Sequence, residues 1–247
     1  MPSPPTRPRL DTVLAMVPPD VRAVADIGYD HGLLMLRLAR ERPALRLYGV
    51  EMLPDRADAM RQRHPAAVSA LADRLTLLVG DGLAPLPAGA VDCVVIAGLS
   101  DRSLVAILER ARATLPTLRR VILCPARVEA TLRPALPGLG LRIVDERIAA
   151  EHRRTWDVIA VEPAEPADIP EPPDATSLFW GPLMVARRDL GLAYHLDHLA
   201  KVYAPAFTHH LNGHRLPDGS LTPLGQKLAL LPALRARAAT WPSAHID

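Results

Sequence analysis

The stretch Ala23-Val24-Ala25-Asp26-Ile27-Gly28-Tyr29-Asp30-His31-Gly32 decides how the chain is read. An apolar strand candidate runs into a turn with two glycines, and the Leu-rich sequence LLMLRLARE follows at helical spacing. Strand, glycine turn and helix in that order form the first unit of a doubly wound sheet, whose ligands meet the carboxyl ends of the strands. Gly28 and Gly32 permit close backbone approach in the turn. The acid two residues before the first glycine separates this loop from a dinucleotide fingerprint. A carboxylate there repels a pyrophosphate but accepts hydrogen bonds from a cationic α-amino group, such as that of a methionine moiety. The plain alternative is an ordinary strand-to-helix turn.

The pattern outward from this loop is that of an α/β sheet. Strands are predicted over 23–27, 46–51, 75–79, 91–97, 120–124, 141–146 and 155–161, with helices around 31–41, 54–63, 102–115 and 127–136. The stretch PAEPADIPEPP at 163–173 is dense in prolines and acids and can neither pair inside a sheet nor continue a helix. It divides the chain into a first domain over 1–162, a linker over 163–173 and a C-terminal domain over 174–247. In the latter, 183–203 and 221–239 are Leu/Ala-rich at helical spacing and suit a helical hairpin.

Two further acids close successive strands. Glu51 ends LYGVE, followed by Met52, where a carboxylate binds a ribose diol. Gly80-Asp81-Gly82 ends the third strand and places an acceptor for an exocyclic amine or a backbone group. Asp26, Glu51 and Asp81 in this order favour an adenosine-plus-amino-acid ligand over NAD. The fourth strand ends in Ala97-Gly98-Leu99-Ser100-Asp101.

Composition narrows the classes. The 247 residues are 49% hydrophobic and 23% charged, enough for a buried core, and no apolar run approaches the roughly 20 residues of a membrane span. The start, Met1 to Leu10, is rich in Pro and Arg where a signal peptide carries an apolar core, so a cytoplasmic location is expected. Cys93 and Cys124 fall inside apolar strands and read as buried thiols. His195 and His198, and His209, His210 and His214, lack Cys or carboxylate partners at ligand spacing, so no metal is expected. A net charge of +2 gives no whole-molecule argument for nucleic acid, and only Lys201 and Lys227 among 29 basic residues are lysines.

The combination of Arg9-Leu10, Ala25-Asp26-Ile27-Gly28 with Asp30-His31, Gly80-Asp81-Gly82-Leu83, Ile96-Ala97-Gly98 and Gly181-Pro182-Leu183 resembles the bacterial tRNA (adenine-22) N1-methyltransferase family. The resemblance runs in order from about Arg9 to Tyr203. It implies a Rossmann-like seven-stranded fold dependent on S-adenosyl-L-methionine (SAM), an antiparallel strand at one edge of the sheet, and a helical, coiled-coil-like C-terminal domain that helps hold tRNA. It also implies Asp26, Gly28, Asp30, Glu51 and Asp81 as cofactor residues, with Asp30 and His31 near the target base. Gly32, Met52, Gly82, Ala97 and Gly98 complete the expected cofactor set, and Asp30, His31 and Tyr29 the expected catalytic set.

The departures from that family fall on the acceptor side. Leu99-Ser100-Asp101 stands where the family carries Met-Gly-Gly, Leu123-Cys124-Pro125-Ala126 where it carries Leu-Gln-Pro-Asn, and Tyr29 where it carries Ser or Thr. Tyr29 either stacks a flipped base or fills the acceptor pocket. Two functions stay open: methyl transfer to N1 of a tRNA adenine, and a SAM-binding homologue that is non-catalytic or has another acceptor. Adenine N1 already carries a lone pair, so the protein mainly positions the base. Arg7, Arg9, Arg187 and Arg188 are the expected phosphate contacts. Monomer and homodimer are both open.

Overall fold

A computed structural model describes residues 9–126, 130–151, 154–172, 174–203 and 206–241. Among these, strands β1 (Ala23–Ile27), β2 (Arg46–Glu51), β3 (Leu75–Val79), β4 (Cys93–Ala97), β5 (Arg120–Cys124), β6 (Leu141–Glu151) and β7 (Arg154–Pro163) form one sheet in the order β3-β2-β1-β4-β5-β7-β6. The first five pair in parallel, and β7 runs antiparallel to both β5 and β6. This is the Rossmann-like methyltransferase sheet with its antiparallel strand next to one edge. The strand order reverses between β1 and β4, so a crevice opens at their carboxyl ends, where such sheets bind ligands.

Helices cover both faces. On one side lie α1 (Arg9–Met16), α2 (Leu33–Glu41) and α3 (Pro54–Arg63), which bury Val13, Leu14, Met35, Leu38 and Met60 against Val24, Leu47 and Val95. A short α4 (Pro65–Ala70) follows α3. On the other side α5 (Asp101–Arg110) buries Leu104, Ile107 and Leu108 against Ile27, Ile96 and Val121. The expected helix around 127–136 is shorter: α6 spans Leu132–Ala135, and 127–129 lie outside the described residues. Helix α1 was not foreseen. Its apolar residues Leu10, Val13 and Leu14, with Val17 just after it, have helical spacing, but the adjoining Pro-rich sequence masks so short a signal.

β6 runs on to Glu151, well past the expected 141–146, and this extension meets the C-terminal helices, while β7 (Arg154–Pro163) departs little from the expected 155–161. Along this hairpin Ala149, Trp156 and Val158 face the α1 side, whereas Ile148 packs among the C-terminal helices. Those helices are α7 (Ala175–Trp180), α8 (Pro182–Arg187), α9 (Leu190–Tyr203), α10 (Phe207–Asn212) and α11 (Pro223–Ala238). The expected helix over 183–203 is broken at Arg188, which adopts a left-handed φ of 55°, and Asp189 restarts it by accepting the Leu192 N–H at 3.0 Å. Gly191 then brings α9 close to β6, since a Cβ there would lie 3.4 Å from the Ile148 Cβ.

A buried ion cluster fastens the helices to the hairpin. Arg133 Nε donates to Glu146 at 2.7 Å and its Nη1 to Asp157 at 3.3 Å, while the Lys227 ammonium lies 3.7 Å from Asp157 and 4.5 Å from the Trp180 ring centroid. The second Glu146 oxygen accepts the Leu183 N–H at 3.0 Å. Burial alone would raise the pKa of Asp157, but Arg133 and Lys227 hold it well below the usual carboxylate range. His195 donates to or accepts from Thr155 at 2.7 Å, and burial pushes its pKa down to about 4, so the imidazole is neutral. Cys93 and Cys124 are fully buried thiols, with pKa values that burial pushes up to about 12. No helix among the described residues is long and apolar enough to cross a membrane.

Candidate functional site

The crevice at the carboxyl ends of β1 to β4 holds a cavity of about 770 Å³. Its floor is the loop after β1. There Gly28 (φ 76°) donates its N–H to Val50 at 2.7 Å, Asp30 takes a left-handed φ of 46°, and Gly32 (φ 70°) starts α2. A Cβ on Gly28 would meet nothing within 4 Å, so the missing side chain is open space for a ligand. Gly32 is glycine for another reason: a Cβ there would lie 2.3 Å from the Met60 sulfur. Gly32 itself does not line the cavity, although Gly28, Tyr29, Asp30 and His31 of the same loop do.

The three strand-end acids converge on this space. Asp26 is 6% exposed and Glu51 7%. Burial pushes the Asp26 pKa up to about 7, with the Arg9 guanidinium opposing and the Glu51 carboxylate adding to the rise. A buried carboxylate in that state calls for a cation. Glu51 uses one oxygen to accept the Leu53 N–H at 3.2 Å. Asp81 is half exposed and pairs with Arg110 of α5 at 3.0 Å. Met52, 59% exposed, Gly82 and Ala97 also line the cavity.

On the acceptor side, Gly98 (φ 88°) donates its N–H to Cys124 at 2.9 Å, and a Cβ there would again meet nothing within 4 Å. The departures at 99–101 do not fill this space. Ser100 is the N-cap of α5, its hydroxyl accepting the Ser103 N–H at 3.2 Å, and Asp101 turns away to accept the Thr131 N–H at 3.3 Å. Leu99 lines the cavity and its carbonyl accepts the Ala126 N–H at 2.8 Å.

Tyr29 also borders the cavity. The residue is 4% exposed within the core that includes Met35, and its hydroxyl donates to the Ala57 carbonyl at 2.7 Å, which ties the loop to α3. Asp30 and His31 do lie at the cavity, with the carboxylate 3.7 Å from His31 Nε2 and both side chains partly exposed.

Of the expected phosphate contacts, Arg7 lies outside the described residues. Arg9 lines the cavity itself. Arg187 is half exposed but committed to β6, donating to Asp145 at 3.0 Å and to the Glu146 carbonyl at 2.7 Å. Arg188 is exposed. Sequence reading missed Leu33, Arg56, Ser103, Ile107 and Arg110, which α2, α3 and α5 present to the cavity. No local motif marks them, because only the packing of helix on sheet decides which turn faces the crevice. Among the described residues no group of three or more potential metal ligands occurs.

The fold and this cavity are those of a methyltransferase: the methyltransferase-domain family matches residues 6–159, more than half of the chain, and the chain belongs to that family. It is similar to the tRNA (adenine(22)-N(1))-methyltransferase of Bacillus subtilis (strain 168), 27% identical over 154 residues that cover 62% of this chain and 63% of the relative. The chain thus matches somewhat under two thirds of that relative's length. Among solved structures it is similar to Streptococcus pneumoniae Sp1610 (TM-score 0.74, 22% identity, 95% of this chain and 99% of that chain), which has also been solved in complex with S-adenosyl-L-methionine. It is also similar to the B. subtilis M1A22 tRNA methyltransferase TrmK (TM-score 0.70, 19% identity, 94% and 96%). At these identities the structural likeness shows the shared fold, over nearly the whole chain.

Proposed function

We propose that this chain is a SAM-dependent methyltransferase acting on N1 of an adenine in tRNA. The observation that carries the reading is the convergence of Asp26, Glu51 and Asp81 on one cavity that stays open at Gly98. The residues fit the cofactor. Asp26, buried with a pKa near 7, would accept the α-ammonium group, Glu51 the ribose hydroxyls, and Asp81 the adenine end, with Met52 an apolar surface beside it. When bound, SAM supplies an electrophilic methyl group on a sulfonium.

The chain's own part is alignment. Adenine N1 needs no strong base to act as a nucleophile, so a site that fixes the acceptor in line is worth more than a proton acceptor. A volume of about 770 Å³ lies high in the range of small-ligand pockets and supports a cofactor together with a planar base. Gly98 leaves the acceptor side clear, and Asp30 and His31 stand at the mouth where an extruded base would enter. The similarity to the B. subtilis tRNA enzyme supports tRNA as the acceptor. A tRNA acceptor supports a cytoplasmic location. The helices after the 163–173 segment extend the surface for RNA, with Arg9 and Arg188 the accessible cations and Arg187 a contact through its remaining exposed edge.

Calorimetry with S-adenosylhomocysteine tests the cofactor assignment. Asp26→Ala and Glu51→Ala should each weaken binding about ten- to a hundredfold, the loss of one charge-assisted pair. Wild-type affinity in both variants would remove the ligand from this cavity.

A further inference from the structure

Beside the mouth of the cavity the hairpin of β6 and β7 meets α1 and builds a feature that the cofactor does not use. The guanidinium carbons of Arg9 and Arg154 each lie 5.7 Å from the centroid of the Trp156 ring, within cation–π range. Arg9 sits at the start of α1 and lines the cavity, and its backbone N–H donates to Glu151 at 3.4 Å, which fixes α1 against the hairpin. Arg154 is exposed at the hairpin end and does not line the cavity. Trp156 is partly buried, its inner edge against the α1 side of the core. Among the described residues no carboxylate lies within salt-bridge distance of either guanidinium, whereas Arg120, Arg142 and Arg147 of the same sheet have such a partner.

A guanidinium laid over an indole still offers its edge donors in the plane of the group, the geometry that grips a phosphate bidentately. The cavity itself is hostile to phosphate, since Asp26, Asp30 and Glu51 line it. An acceptor base that enters must be flipped from its stack, so its flanking phosphodiester stays outside at the rim. The rim at α1 and the hairpin is where unpaired cations stand.

We propose that Arg9, Trp156 and Arg154 hold the phosphodiester next to the acceptor nucleotide, with Arg154 a substrate-positioning residue. The inference rests on the reading of the protein as an RNA methyltransferase. Arg9 joins the two functions, facing the cavity on one side and the strand on the other, and Arg154 serves the RNA alone.

The test uses the full chain with Arg154→Ala, Arg154→Lys and, as an equal-charge control, Arg22→Ala at the amino end of β1, away from the cavity at the strands' carboxyl ends. The readouts are tRNA affinity at several salt concentrations, KM for tRNA in methyl transfer, and S-adenosylhomocysteine affinity. Arg154→Ala should weaken tRNA binding and raise KM roughly tenfold, and flatten the slope of log affinity against log salt by about 0.7 to 0.9. Arg154→Lys should restore most of the slope, and Arg22→Ala should leave all three within about twofold. S-adenosylhomocysteine affinity should be the same throughout. Unchanged tRNA affinity and salt slope in Arg154→Ala, with a wild-type protein that binds and methylates tRNA, would overturn this inference alone. A wild-type protein with no affinity for tRNA would overturn the RNA reading together with it.

Discussion

Replacing Asp26 by Asn separates the two effects of this carboxylate. In the ligand-free protein burial raises its pKa from 3.8 to about 7. The folded chain keeps a proton that the unfolded chain has released, so stability is lost as pH rises from about 4 through 7. The full gap is worth about 4 kcal/mol above pH 7, and the same linkage has already cost about 2 kcal/mol at pH 5.5. Asn has no proton to lose. Its stability relative to wild type should therefore improve by about 2 kcal/mol between pH 5.5 and pH 8.5, or about 4–8 °C in Tm for a chain of this size. Affinity should move the other way, because the neutral amide loses a charge-assisted bond to the ligand's ammonium group and weakens binding about ten- to a hundredfold. Thermal melts of both proteins at the two pH values, with calorimetry at pH 7.5, measure both. A melting difference that is the same at pH 5.5 and pH 8.5 would refute the burial argument, and undiminished affinity would detach Asp26 from the ligand.

Tyr29→Phe removes one buried hydrogen bond to the Ala57 carbonyl and should cost about 0.5–1.5 kcal/mol in urea denaturation while methyl transfer persists; loss of transfer with full stability would return the ring to the acceptor site. Lys227→Met leaves Asp157 with one cation fewer in a buried cluster and should cost about 3–5 kcal/mol, read by the same denaturation, whereas a cost below about 1 kcal/mol would mean that the cluster does not fasten the C-terminal helices. Limited proteolysis should cut within 163–173 or near 209–219, and the pieces should elute together because Glu146 and Asp157 contact Leu183 and Lys227 across the first cut; pieces that separate on gel filtration would show two independent units.

The sequence carried the sheet almost strand by strand, since its first five strands are short and bounded by turns; β1, β2, β3 and β5 fall at their expected limits. β6 runs longer because Ile148 in its outer half packs on helices far along the chain, a contact that no local pattern announces. The same distance hid the role of Asp157, which alternates with Trp156 and Val158 and looks like a break in an apolar run until Arg133 and Lys227 are placed beside it. In the site, the strand-end acids and Gly28 were legible because strand ends and glycine turns are local features. The direction of Tyr29 was not legible because it depends on the space beside Gly49, where a Cβ would lie 2.7 Å from the ring. Ser100 and Asp101 looked like an obstruction, and their actual work, capping α5 and holding the Thr131 N–H, appears only once the helix start is located.

Methyl transfer to adenine N1 of tRNA at the cavity of Asp26, Glu51 and Gly98 is measured by incubating the purified full chain with methyl-labelled SAM and unmodified tRNA, then digesting the RNA to nucleosides. The label should appear as 1-methyladenosine and vanish in Asp26→Ala at the same cofactor concentration. Label on another nucleoside would contradict the acceptor, and no transfer by a protein that binds the cofactor with wild-type affinity would contradict the enzyme.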